Sequence, residues 1–372
     1  MQQKRNVALD VLRGMTICFM IIVNTPGNSA TSFSILNHAK WFGFTPTDLV
    51  FPSFLFVVGN AMSFVMNKWA DTPRGTVVWK ILKRTFLIFL LGYLMYWFPF
   101  FKLDKDHNII SFPMSHTRIM GVLQRIALCY GIASLMIYFF KIRATVIISV
   151  IILFLYWIIL YAFGDHNDPL SMQGNAGFYL DKWLMGENHM YHGEGVAFDP
   201  EGWLSTLPAI GNVVGGYVVG KWVQQKGNSY EGVAKLLIAG FGLLVCGYFW
   251  DLMFPISKKL WTSSFVVYTV GLDCIILAVL IYIIQMQNKT KWTGFFQIFG
   301  RNPLFIYLLS ELMVTVLFTI PVGNTNLFRW IYQNIFSYAG GYLGSLLFAI
   351  AYMLFCWSIG YWLDKKKIYI RV

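Results

Sequence analysis

The sequence predicts an all-α, polytopic transmembrane helical bundle, and three observations support that prediction. Of the 372 residues, 57% are hydrophobic and only 12% are charged, whereas soluble domains carry roughly 25% charged residues. The mean hydropathy is +0.58. Apolar runs of about 20 residues, the length needed to cross a bilayer, recur from one end of the chain to the other. A soluble globular fold is therefore excluded.

We expect about ten spanning helices in a single membrane domain covering residues 1–372, without a separate soluble domain. The expected spans are residues 7–26, 47–66, 77–101, 118–140, 144–163, 202–223, 232–254, 262–286, 299–320 and 342–363. No small-residue cleavage site follows the first apolar run. We therefore expect that run to stay in the protein as a helix and not to be removed as a signal peptide.

The net charge of +12 is distributed as a topology signal, not as a nucleic-acid patch. Most of the 29 Lys and Arg residues fall at one set of predicted helix ends. The positive-inside rule places that side, with both termini, in the cytoplasm. All six histidines fall on the outer side: His38, His107, His116, His166, His189 and His192. We expect a multi-pass protein of a bacterial inner membrane. Its expected partner is the lipid bilayer, and we expect no nucleic acid among its partners.

The sequence gives no strong metal pattern. The five cysteines lie in apolar segments and lack the spacing of a metal knuckle. His189 and His192 share one polar loop with Glu187 and Glu194, but a solvated loop explains that pattern as well. We therefore expect no metal.

Charged residues inside the predicted spans are site candidates, because burying each costs roughly 2.5–3.5 kcal/mol on insertion scales. Arg125 lies beside Gln124 and two turns beyond Arg118, on the same helix face. Asp273 and Glu311 lie in the middle of later spans. A cation this deep suits an anionic or amide-rich ligand. An ion pair that fixes helix packing, with Asp273 as the counter-ion, is the open alternative.

His38 stands between two polar residues at a predicted membrane boundary. Asn24 closes the first span and Asp48 opens the second. An imidazole supplies general-base or nucleophilic chemistry near neutral pH, and an asparagine amide can donate to a developing oxyanion. The group is compatible with an acyl-transfer centre. An interfacial structural histidine, with Asp48 as a helix cap, is the alternative.

Two segments have the pattern of helix starts. Asp199 precedes Pro200 and Glu201 on the outer side, and Asn302 precedes a proline on the cytoplasmic side, next to Arg301. A helix N-terminus beside an arginine is a natural phosphate site. Capping alone explains both segments equally well.

Six segments in order resemble the heparan-alpha-glucosaminide N-acetyltransferase family and its bacterial relatives. They are LDVLRGMTICFMIIVN, HAKWFGFTPTDLVFPSFLFVVGNAM, GVLQRIALCYG, FDPEGWLSTLPAIGNVVGGYVVGK, PISKKLWTSSFVVYTVG and RNPLFIYLLSE. The resemblance runs from about residue 9 to about residue 312 and covers the membrane part of the family.

The resemblance implies a transmembrane acetyltransferase. Acetyl-CoA would be the donor on the cytoplasmic side, and the amine of a glucosamine-type sugar or oligosaccharide would be the acceptor outside. The family's essential histidine corresponds to His38, the asparagine that closes its first helix to Asn24, and the acid of its DLVFP motif to Asp48. Two positions depart from the family: Ser310 replaces a histidine, and Asp273 has no clear counterpart.

On this hypothesis the polyanionic nucleotide of CoA lies near Arg13, Arg301 and Asn302, and the pantetheine arm passes Gln124 and Arg125. The expected acceptor-binding residues are all carboxylates: Asp199, Glu201 and Glu311.

Two other functions remain open at this point. An amino-sugar permease would also need buried charges and a polar outer loop, and an O-acetyltransferase of envelope glycans would use the same cytoplasmic donor. Direct transfer and an acetyl-enzyme intermediate are both compatible with the residues, and so is a homo-oligomer.

Overall fold

The computed structural model describes residues 6–69, 71–103 and 109–370, which are mostly helical. His107 lies outside these residues. The α-helices of the described part are α1 (Val7–Asn24), α2 (Val50–Met66), α3 (Arg74–Trp97), α4 (Val122–Phe139), α5 (Ile142–Phe163), α6 (Ala176–Met185), α7 (Trp203–Lys226), α8 (Tyr230–Asp251), α9 (Ser263–Ile281), α10 (Thr293–Arg301), α11 (Pro303–Thr319), α12 (Leu327–Ile331) and α13 (Gly341–Lys365). Two antiparallel strand pairs join them: β1 (Phe101–Leu103) with β2 (Ile109–Ser111), and β3 (Pro321–Val322) with β4 (Thr325–Asn326).

Seven helices of the described chain are long and apolar enough to cross a membrane, so the chain is a multi-pass membrane protein. They are α1, α4, α5, α8, α13, α2 with its flanking turns (Pro46–Trp69), and α9 with its continuation (Ser263–Met286). The pair α10 and α11 would add an eighth. A helix lies in each of the ten predicted segments, but the number of crossings and the cytoplasmic termini stay predictions.

The helices α3 and α7 are as long as spans but less apolar. Four basic residues lie in the first three turns of α3: Arg74, Lys80, Lys83 and Arg84. Most of α7 is buried, because α2, α4, α5 and α9 pack around it. A helix covered by other helices can carry polar and small residues that lipid would not accept.

The predicted span 299–320 is broken in the structure. The axes of α10 and α11 meet at 82°. Asn302 separates them in a non-helical conformation, and Pro303 opens α11. Proline lacks the N–H that would continue the earlier helix and disfavours a helical residue before it, so a single straight helix is excluded here.

Two glycines allow α2 and α7 to touch backbone to backbone. A Cβ on Gly59 would lie 1.9 Å from the carbonyl oxygen of Val213, and one on Gly216 would lie 1.9 Å from that of Phe56. Small residues at such crossings are the usual means of close helix packing in membranes. The contact fixes α7, which directly follows the loop that holds Asp199 and Glu201.

Several interhelical loops meet at one end of the bundle and form what we call the loop cluster. It consists of residues 25–49, 112–121, 186–202 and 252–262. Backbone hydrogen bonds join its members: Gly43 donates to the carbonyl of Ile256 over 2.8 Å, and Ile119 donates to that of His189 over 3.1 Å. The cluster therefore brings together residues that are far apart in the chain.

Candidate functional site

His38 and Asp48 form a hydrogen-bonded pair in the loop cluster. The His38 Nδ1 atom lies 2.7 Å from Asp48 Oδ1. Asp48 Oδ2 accepts from the backbone N–H groups of Ala39 (3.1 Å) and Thr45 (2.9 Å) and from the Thr45 hydroxyl. These donors hold Asp48 as a carboxylate, which can only accept hydrogen bonds, so it also accepts from the His38 ring. The ring proton therefore lies on Nδ1, and Nε2 keeps a lone pair.

The capping role predicted for Asp48 is also present. Thr45 and Asp48 form a capping box at the turn that leads into α2. The Asp48 side chain is fully buried, while the His38 side chain is 37% exposed. One carboxylate thus anchors the helix start and orients a ring that ligands can reach.

Lys258 is a neighbour of His38 that the sequence did not single out. Its Nζ lies 3.1 Å from His38 Nε2. Burial lowers the pKa of His38 and Lys258 lowers it further, while the hydrogen bond to Asp48 opposes both effects. The only sequence signal for Lys258 was its place in the PISKKLW segment.

Two of the three predicted acceptor-binding carboxylates, Asp199 and Glu201, contact the same arginine. Arg118 binds Asp199 through two hydrogen bonds, of 3.0 and 2.6 Å, and Glu201 through a third of 2.6 Å. Its guanidinium also lies 4.7 Å from the centre of the Tyr191 ring. Burial opposes ionisation of Glu201, but Arg118 and other nearby cations hold its pKa below the usual value. The two carboxylates share one guanidinium, so the three side chains form a charge cluster that carries a net charge of −1 when all are ionised, and Lys258 lies within electrostatic range of Glu201.

The predicted helix start at Asp199 is not observed. The helix α7 begins four residues later, at Trp203, with Gly202 as its cap. Asp181 accepts from the Trp203 N–H over 2.9 Å, and a Cβ on Gly202 would lie 1.8 Å from that carboxylate. Asp199 instead accepts from the N–H of Glu201 and holds Arg118.

Arg125 and Gln124 are fully buried in α4, directly below the charge cluster. Arg125 donates to the carbonyl of Gly202 over 3.3 Å and to the hydroxyl of Ser205, and its guanidinium lies 4.7 Å from the Trp261 ring centre. Among the described residues, its Nε and Nη1 atoms and both amide atoms of Gln124 have no hydrogen-bond partner. Buried polar groups left unpaired are costly, so this region has unused capacity to bind a polar ligand.

Asn24 and Glu311 form a second pair, at the end of α1. The Asn24 amide donates to Glu311 Oε1 over 3.3 Å. Asn24 also lines a cavity of about 990 Å³ together with Asn28, Arg329 and Gln333. The amide is therefore open to solvent on one side and hydrogen-bonded to the half-buried carboxylate of Glu311 on the other.

Two tyrosines connect this pair to the charge cluster. Tyr96 lies within electrostatic range of Glu311, Arg118 and Glu201, and so does Tyr307. The Arg118 guanidinium stacks over the Tyr96 ring at 5.1 Å. The two predicted groups of site residues therefore belong to one polar region.

A largely apolar cleft of about 950 Å³ runs beside α2, α4 and α11. Its lining includes Arg13 and Arg84, in the parts of α1 and α3 that the sequence places towards the cytoplasm, and Tyr307, which belongs to the polar region. Apolar side chains form most of the wall between them. The cleft thus extends from two arginines to the polar region.

The other predicted donor-binding residues have structural partners. Arg301 binds both carboxylate oxygens of Asp364, at 2.6 and 2.5 Å. Asn302 is fully buried and holds the C-terminal segment through the Ile368 carbonyl and the Ile370 N–H. Asn302 occupies the cap position of α11, but its side chain does not cap the helix.

The residues of the weak metal pattern have other partners. His189 Nδ1 lies 2.7 Å from the carbonyl of Thr117, and Glu194 pairs with Lys259 at 2.5 Å. No group of three His, Cys, Asp or Glu residues in the described chain could hold a metal ion.

Comparison with known proteins identifies the family. The family model for the catalytic region of heparan-alpha-glucosaminide N-acetyltransferase matches residues 5–247, well over half of the chain. The chain belongs to this family. It is 24% identical to heparan-alpha-glucosaminide N-acetyltransferase of Mus musculus over 98% of its own length and 60% of that protein's. The Homo sapiens enzyme is also 24% identical, over 98% of this chain and 59% of the enzyme.

The chain thus spans about three fifths of these curated heparan-alpha-glucosaminide N-acetyltransferases, and the resemblance found in the sequence is confirmed. The region matched by the family model includes Asn24, His38 and Asp48. Lys258 and Glu311 lie beyond it.

Proposed function

We propose that this protein is a transmembrane N-acetyltransferase that moves an acetyl group from cytoplasmic acetyl-CoA to the amine of a glucosamine-type sugar on the outer side of a bacterial inner membrane. The observation that supports this most directly is the His38 ring, which Asp48 orients so that Nε2 presents its lone pair. Membership of the heparan-alpha-glucosaminide N-acetyltransferase family supports the choice of donor and acceptor.

The residues of the cleft suit the donor. Arg13 and Arg84 would hold the phosphates of CoA, since guanidinium groups bind phosphate in a planar, two-pronged geometry. The apolar wall would take the pantetheine arm, and the unpaired atoms of Gln124 and Arg125 would bind its amides. Arg301 and Asn302 would bind the nucleotide of CoA only after Arg301 releases Asp364 and Asn302 releases the C-terminal segment.

The cavity beside Asn24 suits the acceptor. Its lining is half polar, with Asn28, Arg329 and Gln333 around the opening and the ring of Phe328 in the wall. Glu311 lies next to Asn24 and would attract the ammonium group of an amino sugar. In this proposal Asp199 and Glu201 act mainly through Arg118, at the edge of the acceptor site.

The chemical step assigns one task to each residue. His38 Nε2 takes the proton that the amine loses as its nitrogen attacks the thioester carbonyl. Asn24 donates to the oxyanion that develops there. As the carbon–sulfur bond breaks, His38 returns the proton to the CoA sulfur, and Asp48 stabilises the transient imidazolium. A transient acetyl-histidine would use the same residues.

The test is acetylation of glucosamine by the purified protein with labelled acetyl-CoA, with the products identified by mass spectrometry. We expect the acetylation rate of His38→Ala to be at least about 100-fold lower than that of the wild type, because a positioned base usually contributes a factor of that size. His166→Ala, which removes an exposed histidine of another loop, is the matched control and should keep wild-type turnover.

Turnover by His38→Ala within about twofold of wild type would refute the assignment. Acetylation only of sugars that lack a free amine would make the protein an O-acetyltransferase, and sugar uptake that needs no acetyl-CoA would make it a permease.

A further inference from the structure

Lys258 is held against His38 by a loop with many internal contacts. The Ser257 N–H donates to the Thr262 hydroxyl over 3.0 Å, and the Ile256 carbonyl accepts from Gly43, in the loop that carries His38. Trp261 is fully buried and donates to Asn212 of α7 over 3.1 Å. The 3.1 Å approach of Lys258 Nζ to His38 Nε2 is therefore built into the fold.

With Lys258 charged, the hydrogen bonds of His38 leave one arrangement of protons. Asp48 accepts from every group around it, so it fixes the proton on Nδ1. An ammonium group has donors and no acceptor, so Lys258 must donate to Nε2. Both partners favour the same neutral tautomer, the form that acts as a base through Nε2.

The charges around the ring oppose each other. The charged groups whose fields reach His38 are Asp48, Lys258 and Glu201. The two carboxylates favour the imidazolium, and Glu201 shares the Arg118 guanidinium with Asp199. Burial lowers the pKa of Lys258, and Arg125 and Lys259 lower it further, while Glu201 and Asp48 oppose that shift. In its charged form, Lys258 opposes the effect of Asp48 on the pKa of His38.

We propose that Lys258 is a positioning residue that keeps His38 unprotonated before the reaction by donating to its Nε2 lone pair, and that it gives up this hydrogen bond when the acceptor amine approaches Nε2. This inference rests on the proposed role of His38 as the base. Without the lysine, Asp48 and Glu201 would pull a proton onto Nε2 near neutral pH, and the ring could not accept the proton of the acceptor amine.

The same cation acts after the proton transfer. The imidazolium formed when His38 takes the amine proton lies next to the Lys258 ammonium, and like charges repel. The proton therefore passes readily to the CoA sulfur as the carbon–sulfur bond breaks. Lys258 makes His38 a weaker base that releases its proton sooner, which suits a group that must act as base and then as acid.

The experiment measures the protonation of His38 without relying on acetyl transfer. Diethyl pyrocarbonate modifies neutral imidazoles, and mass spectrometry of the His38 peptide gives the modification rate at each pH. The ring is 37% exposed, so the reagent can reach it. For the wild-type protein we expect a half-maximal rate below pH 6.5, the ordinary value for histidine.

Two variants remove the charge of Lys258. Lys258→Met and Lys258→Gln should each raise the midpoint by about one pH unit, because a cation in hydrogen-bond contact is lost. Lys258→Arg should keep it near the wild-type value. Lys259→Met is the matched control, because Lys259 pairs with Glu194, and it should leave the midpoint unchanged.

The His189 peptide serves as an internal reference in every sample, so a variant that unfolds is recognised by a change in both histidines. A midpoint that stays at the wild-type pH in a folded Lys258→Met or Lys258→Gln protein would overturn the inference, even if His38→Ala is inactive. An active His38→Ala protein would instead refute the proposed function, whatever the midpoints show.

Discussion

His38 depends on contacts at both ring nitrogens, and each comes from a different part of the chain. Asp48 lies ten residues away and binds Nδ1, whereas Lys258 lies 220 residues away and binds Nε2. A general base needs a defined tautomer as well as a suitable pKa. The two partners supply these separately, and their removal should have different consequences.

Replacing Asp48 by Asn should lower kcat by about 100-fold or more and leave KM nearly unchanged. The amide can present either an N–H or a carbonyl to Nδ1, so the ring is no longer fixed in the tautomer that exposes a lone pair at Nε2. Steady-state kinetics on the purified protein measure the effect. Asp165→Asn, in an exposed loop, is the control, and equal kinetics for the two variants would contradict the role of Asp48.

The sequence could predict part of this site. Their positions at or between the predicted ends of the first two spans marked His38, Asn24 and Asp48 as candidates, and the family resemblance attached a role to each of them. The pairing of Arg118 with Asp199 and Glu201 was missed, and so was the contact with Lys258, because these partners are at least 81 residues apart and meet only through loop packing. Hydropathy marks a buried charge, but it does not reveal the partner of that charge.

At the level of helices, α2 packs closely against α7, and the loops that hold Asp48 and Glu201 lead into these two helices. The contact relies on backbone approach at Gly59 and Gly216. Apolar run length predicted where these helices lie. It could not predict the 82° bend at Asn302, which local proline geometry decides. The predicted span for α7 starts at residue 202, one residue before the observed start at Trp203, whereas the cap pattern at Asp199 predicted a start that the structure does not have.

Gly216→Ala should lower the melting temperature by several degrees. Its Cβ would meet the Phe56 carbonyl oxygen at 1.9 Å, and such overpacking costs about 1–3 kcal/mol. Gly242→Ala in α8 is the control, because nothing lies within 4 Å of its Cβ and alanine favours a helix. Thermal unfolding in detergent measures both, and equal melting temperatures would contradict the close packing.

For the whole molecule, the central feature is a route through the bundle. Arg13 and Arg84 lie at one part of the cleft and Tyr307 connects it to the polar region around His38. The charge distribution of the sequence predicted which side faces the cytoplasm, but it contained no information on a cleft, which arises from the packing of α2, α4 and α11. On our account the acetyl group crosses the membrane while CoA stays on its own side.

Acetylation across a sealed membrane tests that account most directly. Proteoliposomes would carry a membrane-impermeant glucosamine oligosaccharide inside and receive labelled acetyl-CoA only outside. We predict labelled N-acetyl product in the lumen, and its loss with His38→Ala. Product that forms only when donor and acceptor are on the same side of the membrane, with none in the lumen, would contradict transfer across the bilayer.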